Sequence, residues 1–387
     1  MKLVHLGDLH LGKSLGDFDL IKDQEYALKQ VLNIVSKQEA DAVLIAGDVY
    51  DKTVPSEAAT RLLDRFLSEL AGRKVQVFMI SGNHDSDERL NYGSCLFEEN
   101  GIFISAVFDG TLHGRAVTDE FGQVCIWMLP FVKASQVRHF YPDEKIESYE
   151  DAVRVILAHA DIDTSQRNVL VAHQFVAGSG EDRDPELAGS EGLAVQNVGL
   201  VEKIGSGCFD AFDYVALGHI HSPQRVGRET VRYSGSLLKY SLSEAMNSKS
   251  VPVITLGAKG DVKVELVPLQ PMRDLRHIRG PMKALLSSEN VESPGDFIYA
   301  TLTDEEIIND VMQIFQQVYP NTVKIDYDNS RTRQIEHVDL SEIGSHRSFS
   351  ELIADFYMQM YGEEISEEEM EIMRQAAKEA GVIDETD

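Results

Sequence analysis

Five short apolar runs in the first 240 residues, each followed at once by His, Asp or Asn, constrain the fold of this chain more than any other feature. They span 2–6, 42–46, 75–80, 169–172 and 214–217. The runs are continuous rather than alternating, which is typical of strands buried on both faces of a layered α/β fold. Apolar residues at helical spacing over about 20–38 and 55–70 predict helices between the first three strands.

The polar residues that follow these runs predict a metal site. They are Asp8 and His10, Asp48 and Asp51, Asn83 and His84, His173, and His219 and His221. Sites in open α/β sheets lie outside the carboxyl ends of the strands, so these five clusters should converge on one cleft. A set of imidazole, carboxylate and amide ligands without thiolate suits manganese, iron or zinc.

The number of candidate ligands predicts two metal ions rather than one. Seven candidate ligands are too many for one ion and suit two ions about 3.5–4 Å apart, with one shared carboxylate. Two divalent ions and two aspartates leave a net charge of about +2, which can hold an anionic phosphate and a hydroxide. The pattern therefore predicts hydrolysis of a phosphoester.

The motifs DLH, GDVYD, GNHD, AHQ and GHIH resemble the signature of the calcineurin-like metallophosphoesterases. Within that superfamily, GDLHLGK, AGDVYDKTVPS, SGNHDSDERL, ALGHIH and VRYSGS resemble the SbcD family, the nuclease subunits of bacterial SbcCD DNA-repair complexes. The resemblance is dense over the catalytic region and weaker beyond it. It implies an α/β fold, with a layered β-sandwich core flanked by helices, a small α+β capping domain and C-terminal helices.

The resemblance also implies a role for each ligand. One metal would be held by four side chains: Asp8, His10, Asp48 and His221. The other would be held by Asp48, Asn83, His173 and His219. Asp48 would thus bridge the two ions.

Further roles are implied for residues beside the ligands. His84 would contact the scissile phosphate and help the leaving oxygen to depart, and Asp51 would orient His84 through a hydrogen bond. Lys13, Lys52 and Arg89 follow the metal motifs closely. A contact with DNA phosphates and an ordinary surface charge remain open for these three.

Two other histidines lie in or after apolar runs and have to be distinguished from the predicted ligands. His159 in ILAHADID also follows an apolar run, but NVLVAHQF is the better strand pattern, so we prefer His173 as the ligand and place His159 at a helix end. His5 lies inside the first predicted strand and is expected in the core.

Composition narrows the cellular setting. Cys95, Cys125 and Cys208 are far apart, which excludes a disulfide scaffold and a cysteine zinc site and predicts a reducing cytoplasm. The first residues lack an apolar signal core, and no apolar run reaches the roughly 18 residues that a membrane span needs. We therefore expect a cytoplasmic protein, close to the nucleoid when it is bound to DNA, with no membrane partner.

The charge balance is unusual for a protein that acts on DNA. There are 36 Lys and Arg against 64 Asp and Glu, a net charge of −28. Affinity for DNA comes largely from neutralised phosphates, so the cations must lie on a local face or on a partner protein, or the partner is not a nucleic acid.

The sequence predicts four segments: a nuclease domain over 1–265, a capping domain over 266–328, a linker over 329–347 and a helical region over 348–387. The capping segment would contain strands at Phe297–Leu302 and Thr322–Tyr327 and a helix over about 304–318. The last segment predicts two amphipathic helices broken near Gly362. By resemblance, these helices would dock on the SbcC ATPase.

The function expected from site and resemblance together is a manganese-dependent DNA nuclease with two metal ions. It would act as a 3′–5′ exonuclease on duplex ends and as an endonuclease on single strands, in DNA end processing, repair, recombination and replication. It would form a homodimer within a heterotetramer with SbcC. A small-molecule phosphodiesterase or phosphatase of the same fold, or a non-catalytic scaffold that binds partners, is the alternative.

Overall fold

The computed structural model of this chain describes residues 1–178, 185, 203–330, 350, 353–354, 357–358 and 365–379. They fall into two compact units, one of residues 1–302 with 308–326 and one of residues 303–307 with 327–387. Within the described part, none of the helices has the length and apolar character that a bilayer crossing requires.

The strands of the described residues are numbered in chain order. They are β1 (Lys2–Leu6), β2 (Ser14–Leu15), β3 (Phe18–Asp19), β4 (Ala42–Ala46), β5 (Gln76–Ile80), β6 (Ile102–Ser105), β7 (His113–Asp119), β8 (Gly122–Leu129), β9 (Arg167–His173), β10 (Val176–Ala177), β11 (Ile204–Gly205), β12 (Tyr214–Gly218), β13 (Gln224–Val226), β14 (Arg228–Tyr233), β15 (Ser250–Leu256), β16 (Val262–Pro268), β17 (Leu275–Gly280), β18 (Phe297–Leu302) and β19 (Thr322–Tyr327).

The helices are numbered in the same way. They are α1 (Ile21–Gln38), α2 (Glu57–Gly72), α3 (Asp87–Asn91), α4 (Ser94–Glu98), α5 (Ala134–Phe140), α6 (Tyr149–Ala158), α7 (Met282–Leu285), α8 (Val311–Val318) and α9 (Glu367–Glu379). Short 3₁₀ turns span Ser206–Phe209 and Leu242–Glu244.

Two six-stranded sheets form the main unit. The first has the strand order β16-β15-β1-β4-β5-β6, and the second has the order β13-β14-β12-β9-β8-β7. The neighbours β1, β4, β5 and β6 are parallel, and so are β8, β9, β12 and β14. All five predicted strands are confirmed, as β1, β4, β5, β9 and β12.

The two sheets pack face to face and are covered by helices on their outer sides. One buried cluster joins the inner faces and includes Leu44 and Phe78 from the first sheet and Ile126 and Val171 from the second. Helices α1 and α2 pack on the outer face of the first sheet, and α5 and α6 pack on the outer face of the second. Because central strands contact apolar layers on both sides, their sequences are continuous apolar runs.

His5 confirms the expectation of a core residue. It is fully buried between the sheets, where its Nδ1 lies 3.0 Å from the Tyr214 hydroxyl and its Nε2 lies 3.2 Å from the Leu217 carbonyl oxygen. Burial lowers the pKa of His5 to about 3, so the imidazole is a neutral polar link between β1 and β12.

The three-stranded sheet β17-β18-β19 belongs to the same compact unit. Its residues Leu275 and Phe297 join the apolar cluster of the first sheet and α1. Arg273 pairs with the buried Asp23 of α1 and lies over the Phe297 ring, 4.3 Å from its centroid. The smaller sheet thus shares its core with the first large sheet. The boundary between a nuclease domain and a capping domain at residue 265 remains a prediction.

The helix predicted over about 304–318 begins later than expected. It spans Val311–Val318, and Asp310 before it has a φ of 53°. Aspartate tolerates this left-handed conformation, which a regular helix cannot include, so the helix starts after it. Strands β18 and β19 have the predicted bounds.

The second unit contains α9, which confirms the second of the two predicted C-terminal helices. Two large apolar side chains of this helix are exposed: Ile372 by 63% and Met373 by 40%. The predicted linker and the first of the two helices lie mostly outside the described residues.

Candidate metal centre

The predicted ligands stand at one edge of the sandwich. Strands β1, β4 and β5 are parallel in the first sheet, so their carboxyl ends meet at the same edge. Strands β9 and β12 are parallel in the second sheet, with His173 in register with Gly218. The first sheet therefore supplies the residues after positions 6, 46 and 80, and the second sheet supplies His173, His219 and His221.

The backbone at this edge is strained. Asp8, His10, Asp48 and His219 have φ values of 50°, 43°, 46° and 102°, in the left-handed region that L-residues rarely adopt. Each such residue costs of order 1–3 kcal/mol, and such residues cluster at functional sites. A Cβ at Gly82 would lie 2.1 Å from Asp48 Oδ1, so the loop before Asn83 must carry a glycine.

The first ligand cluster consists of Asp8, His10 and His221, whose ligand atoms lie within 4.8 Å of one another. The Nε2 atoms of His10 and His221 are 3.1 Å apart. Asp48 Oδ2 lies 3.6 Å from His10 Nε2. All four side chains are buried.

The second cluster lies on the other side of Asp48. His173 Nε2 is 3.0 Å from Asn83 Oδ1, and His219 Nδ1 is 3.1 Å from the same oxygen. Asp48 Oδ2 is 3.5 Å from His173 Nε2. The Nδ1 atom of His173 donates to the Ala46 carbonyl at 2.8 Å, which turns Nε2 toward the cluster. The Asp48 carboxylate thus lies between the two clusters, as a bridging ligand would.

The charges of these residues fit divalent cations. The buried carboxylate of Asp8 is poorly solvated, and this raises the pKa of Asp8. Burial also opposes the charge of Asp48, but His173 and His10 outweigh it and hold the pKa of Asp48 below its usual range. Burial opposes protonation of His173, yet the negative charge of Asp48 raises the pKa of His173 to about 9.

Buried polar atoms without a hydrogen-bond partner also fit a metal centre. Asp8 Oδ2 and His10 Nδ1 have no hydrogen-bond partner among the described residues. A buried polar atom without a partner is costly, and metal coordination supplies one for a carboxylate oxygen. Carboxylate, imidazole and amide donors without thiolate fit manganese, iron or zinc. The residues present therefore fit a centre of two metal ions.

Orientation of His84 by the Asp51 carboxylate stays a prediction, because the contact between the two residues in this structure runs through the backbone of Asp51. Asp51 Oδ1 accepts from Lys13 Nζ at 2.7 Å, a hydrogen bond strengthened by the opposite charges of the two groups. His84 Nδ1 lies 3.3 Å from the backbone carbonyl oxygen of Asp51. The His84 ring is exposed at the mouth of the site, and its backbone N–H donates to Asp48 Oδ1 at 2.9 Å.

The three predicted substrate contacts have different surroundings. Lys13 is 22% exposed, beside the site, and is neutralised by Asp51. Lys52 and Arg89 are exposed. Arg89 lines a groove with Leu63, Tyr92 and other side chains, with a volume of about 510 Å³. Contact of any of the three with DNA stays a prediction.

His159, the alternative to His173, follows α6 rather than a strand. It caps the carboxyl end of that helix, with its Nδ1 2.9 Å from the Val155 carbonyl oxygen. The expectation of a helix-end histidine is confirmed.

Asp85 is a structural residue of the site to which the sequence assigned no role. Its carboxylate accepts from the backbone N–H groups of Val49 at 3.0 Å, Tyr50 at 2.9 Å and Gly82 at 2.9 Å. Burial, followed by the charge of Asp48, raises the pKa of Asp85 to about 6. Asp85 ties the loop after β4 to the loop after β5, and its place in GNHD is the signal that could have indicated this.

Glu244 is a second residue of the site to which the sequence assigned no role. It is fully buried, and its Oε1 lies 3.2 Å from His221 Nδ1. It stands on a 3₁₀ turn, 23 residues beyond His221. No strand pattern or metal motif precedes it, so only the folded structure reveals the contact.

Comparisons with known proteins show what this chain is similar to. A family model described as calcineurin-like phosphoesterase matches residues 1–223, more than half of the chain. A second model, described as type 5 capsule protein repressor C-terminal domain, matches residues 271–361. The SbcD subunit of the nuclease SbcCD from Staphylococcus epidermidis is 33% identical over 376 residues, which is 95% of each chain. A dimetal phosphatase from Danio rerio aligns with a TM-score of 0.38 and 11% identity, over 70% of this chain and 98% of that one.

Proposed function

Because this chain belongs to the calcineurin-like phosphoesterase family and, within it, to the SbcD family of nuclease subunits, we propose that it is a two-metal nuclease that hydrolyses phosphodiester bonds in DNA. One observation carries the proposal. Two clusters of candidate ligands lie on either side of the buried Asp48 carboxylate, which is 3.6 Å from His10 and 3.5 Å from His173.

The proposed metal ions are manganese. One would be held by Asp8, His10, Asp48 and His221, and the other by Asp48, Asn83, His173 and His219. Such a pair lowers the pKa of bound water and stabilises the charge on the oxygens of the scissile phosphate.

His84 is the proposed catalytic residue that is not a ligand. It is exposed at the mouth of the site, and the Asp51 carbonyl oxygen lies 3.3 Å from its Nδ1. In the imidazolium form of the ring, Nδ1–H donates to that carbonyl oxygen, while Nε2–H faces the leaving oxygen of a bound substrate and can give its proton to it. Proton transfer of this kind contributes about 10²–10⁴-fold to rates. The proposed role of Asp51 is to hold this ring through its backbone and to keep Lys13 beside the site.

The net charge of −28 points to a partner that supplies cations for DNA binding. We propose that this partner is an SbcC-type ATPase and that α9 helps to dock on it. The exposed Ile372 and Met373 support this, since Met-containing apolar faces adapt to partner surfaces. The complex would be a heterotetramer containing a homodimer of this chain, located in the cytoplasm and bound to the nucleoid when it engages DNA.

In that complex, the proposed activities are 3′–5′ exonuclease cleavage of duplex ends and endonuclease cleavage of single strands. The test is manganese-dependent cleavage of an end-labelled duplex and a labelled single strand, beside p-nitrophenyl phosphate esters. We expect Asp48→Ala to abolish DNA cleavage, and Asp64→Ala, which removes an exposed carboxylate on α2, to preserve it. Ester hydrolysis without DNA cleavage would instead favour a small-molecule phosphodiesterase. Wild-type chain inactive on every substrate would favour a scaffold.

The docking proposal has its own experiment. The double variant Ile372→Asp/Met373→Asp should lose co-purification with the ATPase while it retains manganese-dependent ester hydrolysis. The matched control is Glu371→Gln, an exposed polar change on the same helix, which should co-purify as the wild type does. Full co-purification of the double variant would refute docking through this face of α9.

A further inference from the structure

A fully buried carboxylate stands directly behind His221. Glu244 Oε1 lies 3.2 Å from His221 Nδ1 and accepts from the Tyr240 backbone N–H at 3.2 Å and the Ser241 hydroxyl at 3.0 Å. Its Oε2 accepts from the Ser236 hydroxyl at 3.2 Å. The carboxylate is thus fixed by donors from three sides and has one histidine as its neighbour in the metal centre.

Lys249 is the counter-ion of this carboxylate. Its side chain is 5% exposed, and its Nζ donates to Glu244 Oε2 at 2.5 Å. The same ammonium donates to the His221 backbone carbonyl at 2.8 Å and to the Ser236 hydroxyl at 2.8 Å. The two charges therefore hold His221 at both its ring and its backbone.

The contact decides which nitrogen of His221 can bind a metal ion. A carboxylate can only accept here, so Nδ1 carries the proton and Nε2 keeps its electron pair. That Nε2 faces His10 Nε2 at 3.1 Å. A metal ion bound by both rings needs an unprotonated Nε2 on each of them, and the contact with Glu244 keeps the proton of His221 on Nδ1.

Glu244 and Lys249 form a buried ion pair, because Lys249 Nζ lies 2.5 Å from Glu244 Oε2 and neither side chain is more than 5% exposed. Burying an ion pair requires its desolvation, and apolar side chains of similar volume would fill the same space without that requirement. Packing alone therefore does not account for a glutamate and a lysine at these positions.

We propose that Glu244 is a positioning residue for His221, with Lys249 as its counter-ion, and that this pair sets the affinity of the metal ion bound by Asp8, His10 and His221. The inference rests on the proposed two-metal function. Loss of a partner of this kind weakens metal binding about 10–100-fold.

The same loop also has structural contacts, which the experiment must separate from this role. Lys239 donates to the Ala245 carbonyl oxygen at 2.7 Å and pairs with Asp274, next to β17. A variant that merely loosened this loop would lower stability without a selective effect on one metal ion.

The experiment is a calorimetric titration of the full chain with Mn²⁺, supported by elemental analysis and by circular dichroism of the fold. The variant is Glu244→Gln, which keeps the shape of the side chain and removes its charge. The matched control is Asp119→Asn, which removes a carboxylate paired with Arg167, itself 4% exposed. Arg167 and His173 are the two ends of β9, so the control lies far from the metal centre.

We expect Glu244→Gln to bind one of two Mn²⁺ ions about 10–100-fold more weakly, with the other ion affected less than threefold. Excess Mn²⁺ should restore its DNA cleavage. Asp119→Asn should bind both ions as the wild type does. Wild-type affinity for both ions in Glu244→Gln, or an equal loss in Asp119→Asn, would overturn the proposal.

If Glu244→Gln does not fold, the charge-neutral double variant Glu244→Gln/Lys249→Met takes its place in the same titration. Unchanged affinity for both ions in that variant would overturn the proposal, and selective loss of one would support it. A wild-type chain that binds no Mn²⁺ would refute the proposed two-metal function. A wild-type chain that binds two ions, with an unchanged variant, would refute only the role of Glu244.

Discussion

Gly218, the residue before His219, lies where the two sheets of the sandwich touch. A Cβ at this position would lie 1.9 Å from the Ala46 carbonyl oxygen and 2.8 Å from His173 Nδ1. These two atoms form the 2.8 Å hydrogen bond that orients His173. We expect Gly218→Ala both to destabilise the fold and to weaken metal binding, because the added methyl group would collide with the Ala46 carbonyl oxygen and with the His173 ring.

The size of the effect follows from the contact. An ordinary van der Waals contact of a Cβ begins at 3.4 Å, so β4 and β12 must separate locally by about 1.5 Å. Overpacking of this kind costs about 1–3 kcal/mol. Loss of the hydrogen bond between His173 and Ala46 adds about 1 kcal/mol. The expected loss of unfolding free energy is therefore about 2–4 kcal/mol.

The assay combines urea unfolding with a Mn²⁺ titration. The matched control is Gly72→Ala at the end of α2, where a Cβ meets nothing within 4 Å. Alanine is the better helix former by about 1 kcal/mol, so the control should be neutral or slightly stabilising. If Gly218→Ala matches Gly72→Ala in both urea midpoint and Mn²⁺ affinity, the close approach of the sheets does not constrain this position.

The remaining predictions concern single side chains. His84→Ala should lose about 10²–10⁴-fold in cleavage rate while elemental analysis still finds two metal ions, and loss of one equivalent would show His84 to be a ligand. Asp48→Ala should empty or weaken both metal sites whereas Asn83→Ala should weaken mainly one, so equal stoichiometry in the two variants would count against a bridging Asp48. Arg167 holds the pKa of Asp119 below its usual range, so Asp119→Asn should lower stability by about 1–2 kcal/mol at neutral pH. That deficit should shrink as the pH falls below about 4, where the unfolded carboxyl binds its proton; a deficit unchanged between pH 7 and pH 2.5 in urea unfolding would refute the ion-pair contribution.

The strands and the ligands could be predicted because their signals are local. A strand buried on both faces is a continuous apolar run, and parallel strands must present their carboxyl ends at one edge. Asp8, Asp48 and His173 could therefore be placed together from positions far apart in the sequence, and the structure brings them together.

What could not be predicted depends on tertiary contacts. Glu244 reaches His221 from a turn without periodicity, and no spacing rule relates two residues that only the fold brings together. The resemblance implies a contact of the Asp51 carboxylate with His84, whereas in the fold the ammonium of Lys13 donates to this carboxylate at 2.7 Å. The late start of α8 depends on the left-handed backbone of Asp310, which the helical pattern of the sequence does not reveal.

Each of the two ligand clusters contains residues from both sheets. A metal ion bound to either cluster would therefore link the two sheets. Asp8 and His10 follow β1 in the first sheet, whereas His221 follows β12 in the second. Asn83 follows β5, and it meets His173 at the end of β9. With the proposed ligands, neither sheet alone would supply a full set, so metal binding would show that the two sheets are assembled. An ion present at 100 times its dissociation constant would add about 2.7 kcal/mol to the stability of the joined sheets, and removing it would loosen their shared edge first.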